Sequence, residues 1–233
     1  MMKWTTYVGI VLGIGILYSD AMAKPTKSAK PAKTSGLTLF TTPGTEWSFE
    51  VTMSEPGKPN DVHIELWRIA EIKPVGSIQR IFVVVTEEGQ DGLRDTQIEY
   101  ASDGTKFHDL AWLTRARPAA TFDADMLKER LPLFDTSAAK AEAIVTRYPD
   151  NPLAYVRYQL LKEFKAKNGK TYNDVIWATR NRGDTEPTDE WWYSSREGIV
   201  QIYTKIPEIG GGGEVTWART DKRPTPRNTD DSE

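Results

Sequence analysis

The chain has 233 residues, with 8 Trp, 14 Pro, 17 Gly and no cysteine, and its 30 basic and 33 acidic side chains nearly cancel. At 39% hydrophobic and 10% aromatic it carries the apolar material for a globular core, which excludes wholesale disorder. The balanced charge speaks against a dedicated nucleic-acid binder. The missing cysteine removes disulfide scaffolds, thiol catalysis, iron–sulfur clusters, cysteine-ligated zinc and the lipid-bearing cysteine of a bacterial lipoprotein.

Residues 1–23 read as an export signal. Lys3 supplies a short positive n-region, Tyr7 to Tyr18 is an uncharged apolar run of 12 residues, and Ala21-Met22-Ala23 is a small-x-small cleavage site. As a helix that run would rise about 18 Å, short of the roughly 30 Å hydrocarbon core. A cut after Ala23 and a periplasmic or secreted mature chain are expected. With no N-x-S/T acceptor and no cysteine, a bacterial envelope suits the chain better than a eukaryotic secretory route. Residues 24–35 form a flexible Lys/Pro-rich arm in which Lys24, Lys27, Lys30 and Lys33 face no acid. Such an arm predicts peripheral contact with an anionic surface at about 1 kcal/mol per lysine. Residues 36–220 are one domain with 22 basic and 28 acidic side chains, a net charge of about −6, and residues 221–233 are expected to be a disordered, Pro-rich charged tail.

The first half of the domain reads as strands. Trp47, Phe49, Val51 and Met53 alternate with polar residues, and Val62 to Ile72 resumes the alternation after a Pro/Gly loop, with Val62, Ile64 and Leu66 on one face. Ile78 to Thr86 is nearly continuously apolar, as in a central strand. Thr96–Ala101 and Lys106–Leu113 form a hairpin around Ser102-Asp103-Gly104. The middle reads as helical. Thr121 or Asp123 caps a short helix ending before Pro132, and Asp135 or Thr136 caps a second carrying Ala141, Ile144, Val145 and Tyr148. Pro152 starts a third with the stripe Leu153, Val156, Leu160 and Phe164, closed by Asn168-Gly169. Residues 141–161 resemble one tetratricopeptide-type junction, but no second copy exists, so an ordinary helical hairpin covering a sheet is expected. Strands return at Tyr172–Thr179, Glu190–Ser195, Ile199–Ile206 and Glu214–Arg219. The expected class is α+β: a mainly antiparallel, curved, half-barrel-like β-sheet with a central helical insertion packed on it.

No G-x-S-x-G, H-E-x-x-H, Walker loop or dinucleotide-binding glycine motif is present. Gly210–Gly213 leads into a strand rather than a helix, so it reads as a flexible loop. His63 shares a strand face with Glu65 beside Trp67, but a metal centre would need His108 brought to it, and no metal or cofactor is assigned. The most unusual stretch is the charged loop Arg180–Asp189 feeding Glu190-Trp191-Trp192-Tyr193. A three-residue loop at Arg196-Glu197-Gly198 pairs Trp192 with Ile202 and Trp191 with Tyr203. That register turns Trp192, Ser194, Val200 and Ile202 to the core and leaves Trp191, Tyr193 and Tyr203 as a stacking face near Asp184, Glu186, Asp189 and Glu190. The expected function is an exported, non-catalytic envelope protein binding a lipid, glycan, peptide or partner protein. Its candidate ligand-binding residues are Trp191, Tyr193, Tyr203, Trp177, Trp217 and Glu190. The alternatives are a cell-wall polymer hydrolase using Glu190 and a second carboxylate, or an accessory subunit of an envelope assembly.

Overall fold

The structure, a computed structural model, describes residues 37–89, 92–110, 124–127, 131–137, 143–148, 151–181, 188–208 and 211–226. The export signal, the lysine arm, Asp184 and Glu186 of the acidic loop, and the end of the tail lie outside the described residues, as does most of the first expected helix.

Twelve strands make one sheet among the described residues: β1 (Glu46–Ser54), β2 (Asp61–Val75), β3 (Ile78–Gly89), β4 (Gly92–Ser102), β5 (Lys106–Asp109), β6 (Phe134–Asp135), β7 (Ile144–Tyr148), β8 (Asn151–Lys165), β9 (Thr171–Asn181), β10 (Thr188–Ser194), β11 (Gly198–Lys205) and β12 (Glu214–Thr220). Their order is β6-β5-β4-β3-β2-β1-β12-β11-β10-β9-β8-β7, with every neighbouring pair antiparallel. Two six-strand meanders therefore join where β1 pairs with β12, Val51 lying opposite Trp217. This seam has no local signature, because it unites residues far apart in the chain.

The sheet twists and curls until its two halves face each other across a shared interior. Trp191 of β10 lies within 5.8 to 6.5 Å of the rings of Phe134, Trp67 and Tyr100 from the other half. A short 3-10 turn, Thr38–Thr41, places Phe40 between them, stacked against Tyr193 at 5.1 Å and tilted against Phe107 at 4.1 Å. Burying a ring of this size contributes about 1.5–3 kcal/mol. Polar contacts also tie the halves together. Arg180 of β9 bonds Asp189 of β10 at 2.7 Å and Asp109 of β5 at 3.3 Å, and the Tyr158 hydroxyl of β8 donates to the Pro132 carbonyl.

The first-half strands and the last four fall where the alternation puts them, but the described residues hold no central helical insertion, and the class is an antiparallel all-β sheet rather than α+β. The only helical turn between β5 and β7 among the described residues is the four-residue 3-10 turn Ala124–Leu127. The expected second and third helices are the hairpin β7–β8, with Val156 opposite Thr146. The stripe of Leu153, Val156, Leu160 and Phe164 mixed two faces of one strand. Ala154, Val156 and Tyr158 are buried, Leu153 is 60% exposed, and Phe164 stacks outside on Trp192. The β-branched and aromatic residues of Ala154-Tyr155-Val156-Arg157-Tyr158 were the better guide. Asp135, expected as a helix cap, instead accepts hydrogen bonds from Ser137 N and Oγ and builds a turn.

Beyond β8, residues 166–170 fold over the outer face of β11 and β12. Lys167 N donates to the Gln201 side chain, Lys167 Nζ to Thr216, and Asn168 Nδ2 to the Arg219 carbonyl. Under this cover Val200, Tyr172 and Val175 form a second apolar cluster, with Trp192 packed against it. The start of the expected tail also lies on the sheet: Lys222 pairs with Glu50 and Arg223 with Glu46.

Candidate functional site

Two groups of chemistry-bearing side chains occupy opposite faces of the sheet. On the outer face of β8 to β12, Trp177, Glu190 and Tyr203 come together. Trp192 is opposite Trp177, and Glu190 is opposite both Thr179 and Tyr203. The Trp177 indole N–H donates to Glu190 at 2.9 Å, the Arg157 guanidinium lies 4.9 Å from the Trp177 ring centroid, and the Tyr203 hydroxyl donates to Glu214 at 2.9 Å. Desolvation first, then the hydrogen bond to Glu214 and its charge, push the Tyr203 phenol up to about 12, so it stays a donor. Trp177 and Tyr203 are half-buried, each with its polar edge held by a carboxylate.

The face expected to hold Trp191, Tyr193 and Tyr203 together is split. Trp191 and Tyr193 are interior, at 7% and 0% exposure, while Tyr203 is outside. The hairpin pairs Ser194 with Gly198 and Tyr193 with Ile199, and a bulge then sets Trp192 against Gln201 and Trp191 against Ile202. The one residue gained at this bulge reverses the faces of β10 relative to the expected register. Ile199 and Ile202 both reach the interior because Val200 between them is the extra residue, turned to the outer cluster. Burial raises the Tyr193 phenol pKa, and the Trp191 indole N–H is buried without a hydrogen-bond partner among the described residues.

Trp217 belongs to the second group, inside the sheet. Its indole N–H donates to Glu65 Oε2 at 2.9 Å, and that of Trp67 donates to the same oxygen at 2.7 Å. Glu65 is 2% exposed, His63 Nε2 lies 3.4 Å from its Oε1, and Glu87 is directly opposite on β3. Ligand atoms of His63, Glu65 and Glu87 lie within 4.8 Å of one another. Burial followed by the charge of Glu65 raises the Glu87 pKa. For His63 burial acts against the cation, but the hydrogen bond and charge of Glu65, with Asp61 and Glu87 adding, outweigh it and the pKa is raised. The sequence put His63, Glu65 and Trp67 on one face; the missed member is Glu87, whose place depends on the β2–β3 register. That register carries a bulge between Ile69 and Glu71.

His108 stays apart from this cluster. It is buried beside Asp103, Lys106 and Asp135, its Nδ1 has no partner among the described residues, and desolvation lowers its pKa to about 4. Asp189, the described member of the expected acid cluster adjoining Glu190, is neutralised by Arg180 and bonded to Thr204. The two side chains point to opposite faces, so they make no carboxylate pair. Gly213, at φ +114°, sits where a Cβ would come 2.6 Å from the Ser54 carbonyl, so at this end the glycine run is packed against β1.

No protein-family model and no curated protein sequence matches the chain. Among solved structures it is similar to a protein of Parabacteroides distasonis classed as a lipoprotein, with 12% identity and a TM-score of 0.40 over 79% of this chain and 97% of that one. It is also similar to a protein of Bacteroides fragilis classed as exported, with a YmcC-like fold, at 12% identity and a TM-score of 0.34 over 76% of this chain and 94% of that one.

Proposed function

We propose that the chain is an exported, non-catalytic binding protein of the bacterial envelope that holds an extended glycan on the outer face of β9 to β11. The signal-like residues 1–23 support export. The observation that carries the binding reading is the outer strip itself: two half-buried aromatic rings whose polar edges are pinned by Glu190 and Glu214. Ring faces fixed in this way stack on the apolar faces of sugars, and carboxylates at their edges accept from hydroxyl groups. Trp177, Tyr203 and Glu190 carry the site, with Arg157 beside them. Trp191, Tyr193 and Trp217 are turned to the interior and lie outside this strip. The hydrolase alternative loses Asp189 to Arg180 and rests on acids outside the described residues.

The test is isothermal titration of the mature protein with soluble peptidoglycan fragments, with an extended peptide as control. Trp177→Ala and Tyr203→Ala should each weaken glycan binding about fivefold or more, corresponding to about 1 kcal/mol per stacked ring. Glycan binding untouched by both substitutions, or binding of the peptide alone, would refute the assignment.

A further inference from the structure

The interior cluster is built like a metal centre. We infer that His63, Glu65 and Glu87 bind one divalent transition-metal ion, with zinc the closest chemical fit. One imidazole and two carboxylates from adjacent strands offer the nitrogen and oxygen donors such an ion takes, leaving room for water or an exogenous ligand. Their ligand atoms already lie within 4.8 Å of one another. An ion with bonds of about 2.0–2.2 Å needs its ligand atoms only about 3–3.5 Å apart. Rotation of the Glu87 side chain, the most exposed of the three at 18%, supplies the closure.

Two further features favour a cation here over a bare charge cluster. Indole N–H groups only donate, and two of them converge on Glu65 Oε2, so that oxygen must accept from both and Glu65 is held as an oriented carboxylate. This is the outer support a metal-ligating carboxylate requires, and it leaves Oε1 facing His63 and the cluster. The second carboxylate, Glu87, stands directly across the strand pair from the first, so the two charges repel, and a cation held among them, the His63 imidazolium or a metal ion, is stabilised. The nearest guanidinium, that of Arg94, is 4.0 Å from Glu87 on a side chain 66% exposed, so it screens the pair from outside only.

The experiment is calorimetric titration of the chelator-treated mature chain with zinc chloride, with circular dichroism confirming that each variant is folded. Wild type should take up one equivalent. Glu87→Gln and His63→Ala, both near the rim of the cluster, should abolish that uptake. Trp217→Phe, which removes a support of Glu65 without touching a ligand, should weaken it about tenfold. No saturable uptake by wild type, or uptake that persists in both Glu87→Gln and His63→Ala, overturns the inference. Because the cluster and the outer strip lie on opposite faces, loss of zinc uptake should leave glycan titration of the same variants unchanged.

Discussion

His108 gives the fold an acid-sensitive point that can be measured separately from the rest. Its imidazole is 6% exposed, its Nδ1 has no partner among the described residues, and burial holds its folded pKa at about 4 against 6.5 when free. Between these values the unfolded chain binds a proton that the native chain refuses. The stability contribution is therefore complete above pH 6.5 and is lost as the pH falls toward 4. A gap of about 2.5 units at 1.36 kcal/mol per unit corresponds to about 3 kcal/mol. For a domain of this size that is roughly 6–12 °C in Tm. Urea denaturation at half-unit steps from pH 7.5 to 4, on wild type and His108→Leu, isolates the effect, because the acid titration of carboxylates is common to both proteins. Wild type should lose about 3 kcal/mol more than the variant across that window. Parallel curves would show that His108 is solvated, or protonated and paired, in the folded state, and the burial argument would fail.

Three other perturbations test the packing. Gly198→Ala should cost about 3 kcal/mol in urea denaturation, since φ is +80° and the new Cβ would lie 2.4 Å from Trp47 Nε1, which donates to the Glu197 carbonyl. A cost below about 1 kcal/mol would mean that the Trp47 ring swings aside freely. Arg180→Met removes the guanidinium that pairs with both Asp109 and Asp189, at side-chain exposures of 18% and 14%, and should cost about 3–5 kcal/mol in urea denaturation at pH 7, with part recovered by Asp189→Asn. Tyr158→Phe leaves the Pro132 carbonyl without the hydroxyl that bridges the two halves. Hydrogen exchange should accelerate first in β6 and β8, with a total loss of about 1–3 kcal/mol; uniform protection would show that this hydrogen bond does not hold β6 and β8 together.

Most strand boundaries were legible because their apolar residues alternate cleanly and glycines or Asp-Gly pairs mark the turns. Trp47, Phe49 and Val51 alternate and are all buried, and Asp103 turns the β4–β5 hairpin by accepting from Thr105 N and Lys106 N. The failure in β7 and β8 has a definite cause. Leu153, Val156, Leu160 and Phe164 fall at helical intervals because β8 meets apolar neighbours on both faces, the interior along Ala154–Tyr158 and the folded-over cluster at Phe164. A strand that buries both faces loses its period-2 signature, and any run of apolar residues then contains a 3.6-residue subset.

The candidate site failed for a different reason, and the bulge at Val200 shows why. Turn chemistry correctly predicted a tight hairpin near Gly198, whose φ is +80°, but not which residue is left unpaired beyond it. With that residue counted, Trp191 and Tyr193 meet the interior through Ile202 and Ile199, and Trp192 goes outside to stack on Phe164 at 5.1 Å. The energetic preference is visible only in three dimensions. Trp191 touches Trp67, Tyr100 and Phe134 from the opposite half of the sheet, whereas outside it would find only the partial cover beneath residues 166–170. Long-range ring contacts therefore selected the register, and the register selected which aromatics remain outside. The same logic exposes Glu87. Only the bulge between Ile69 and Glu71 brings it opposite Glu65, so the interior cluster and the outer strip are each fixed by a single irregularity in strand pairing.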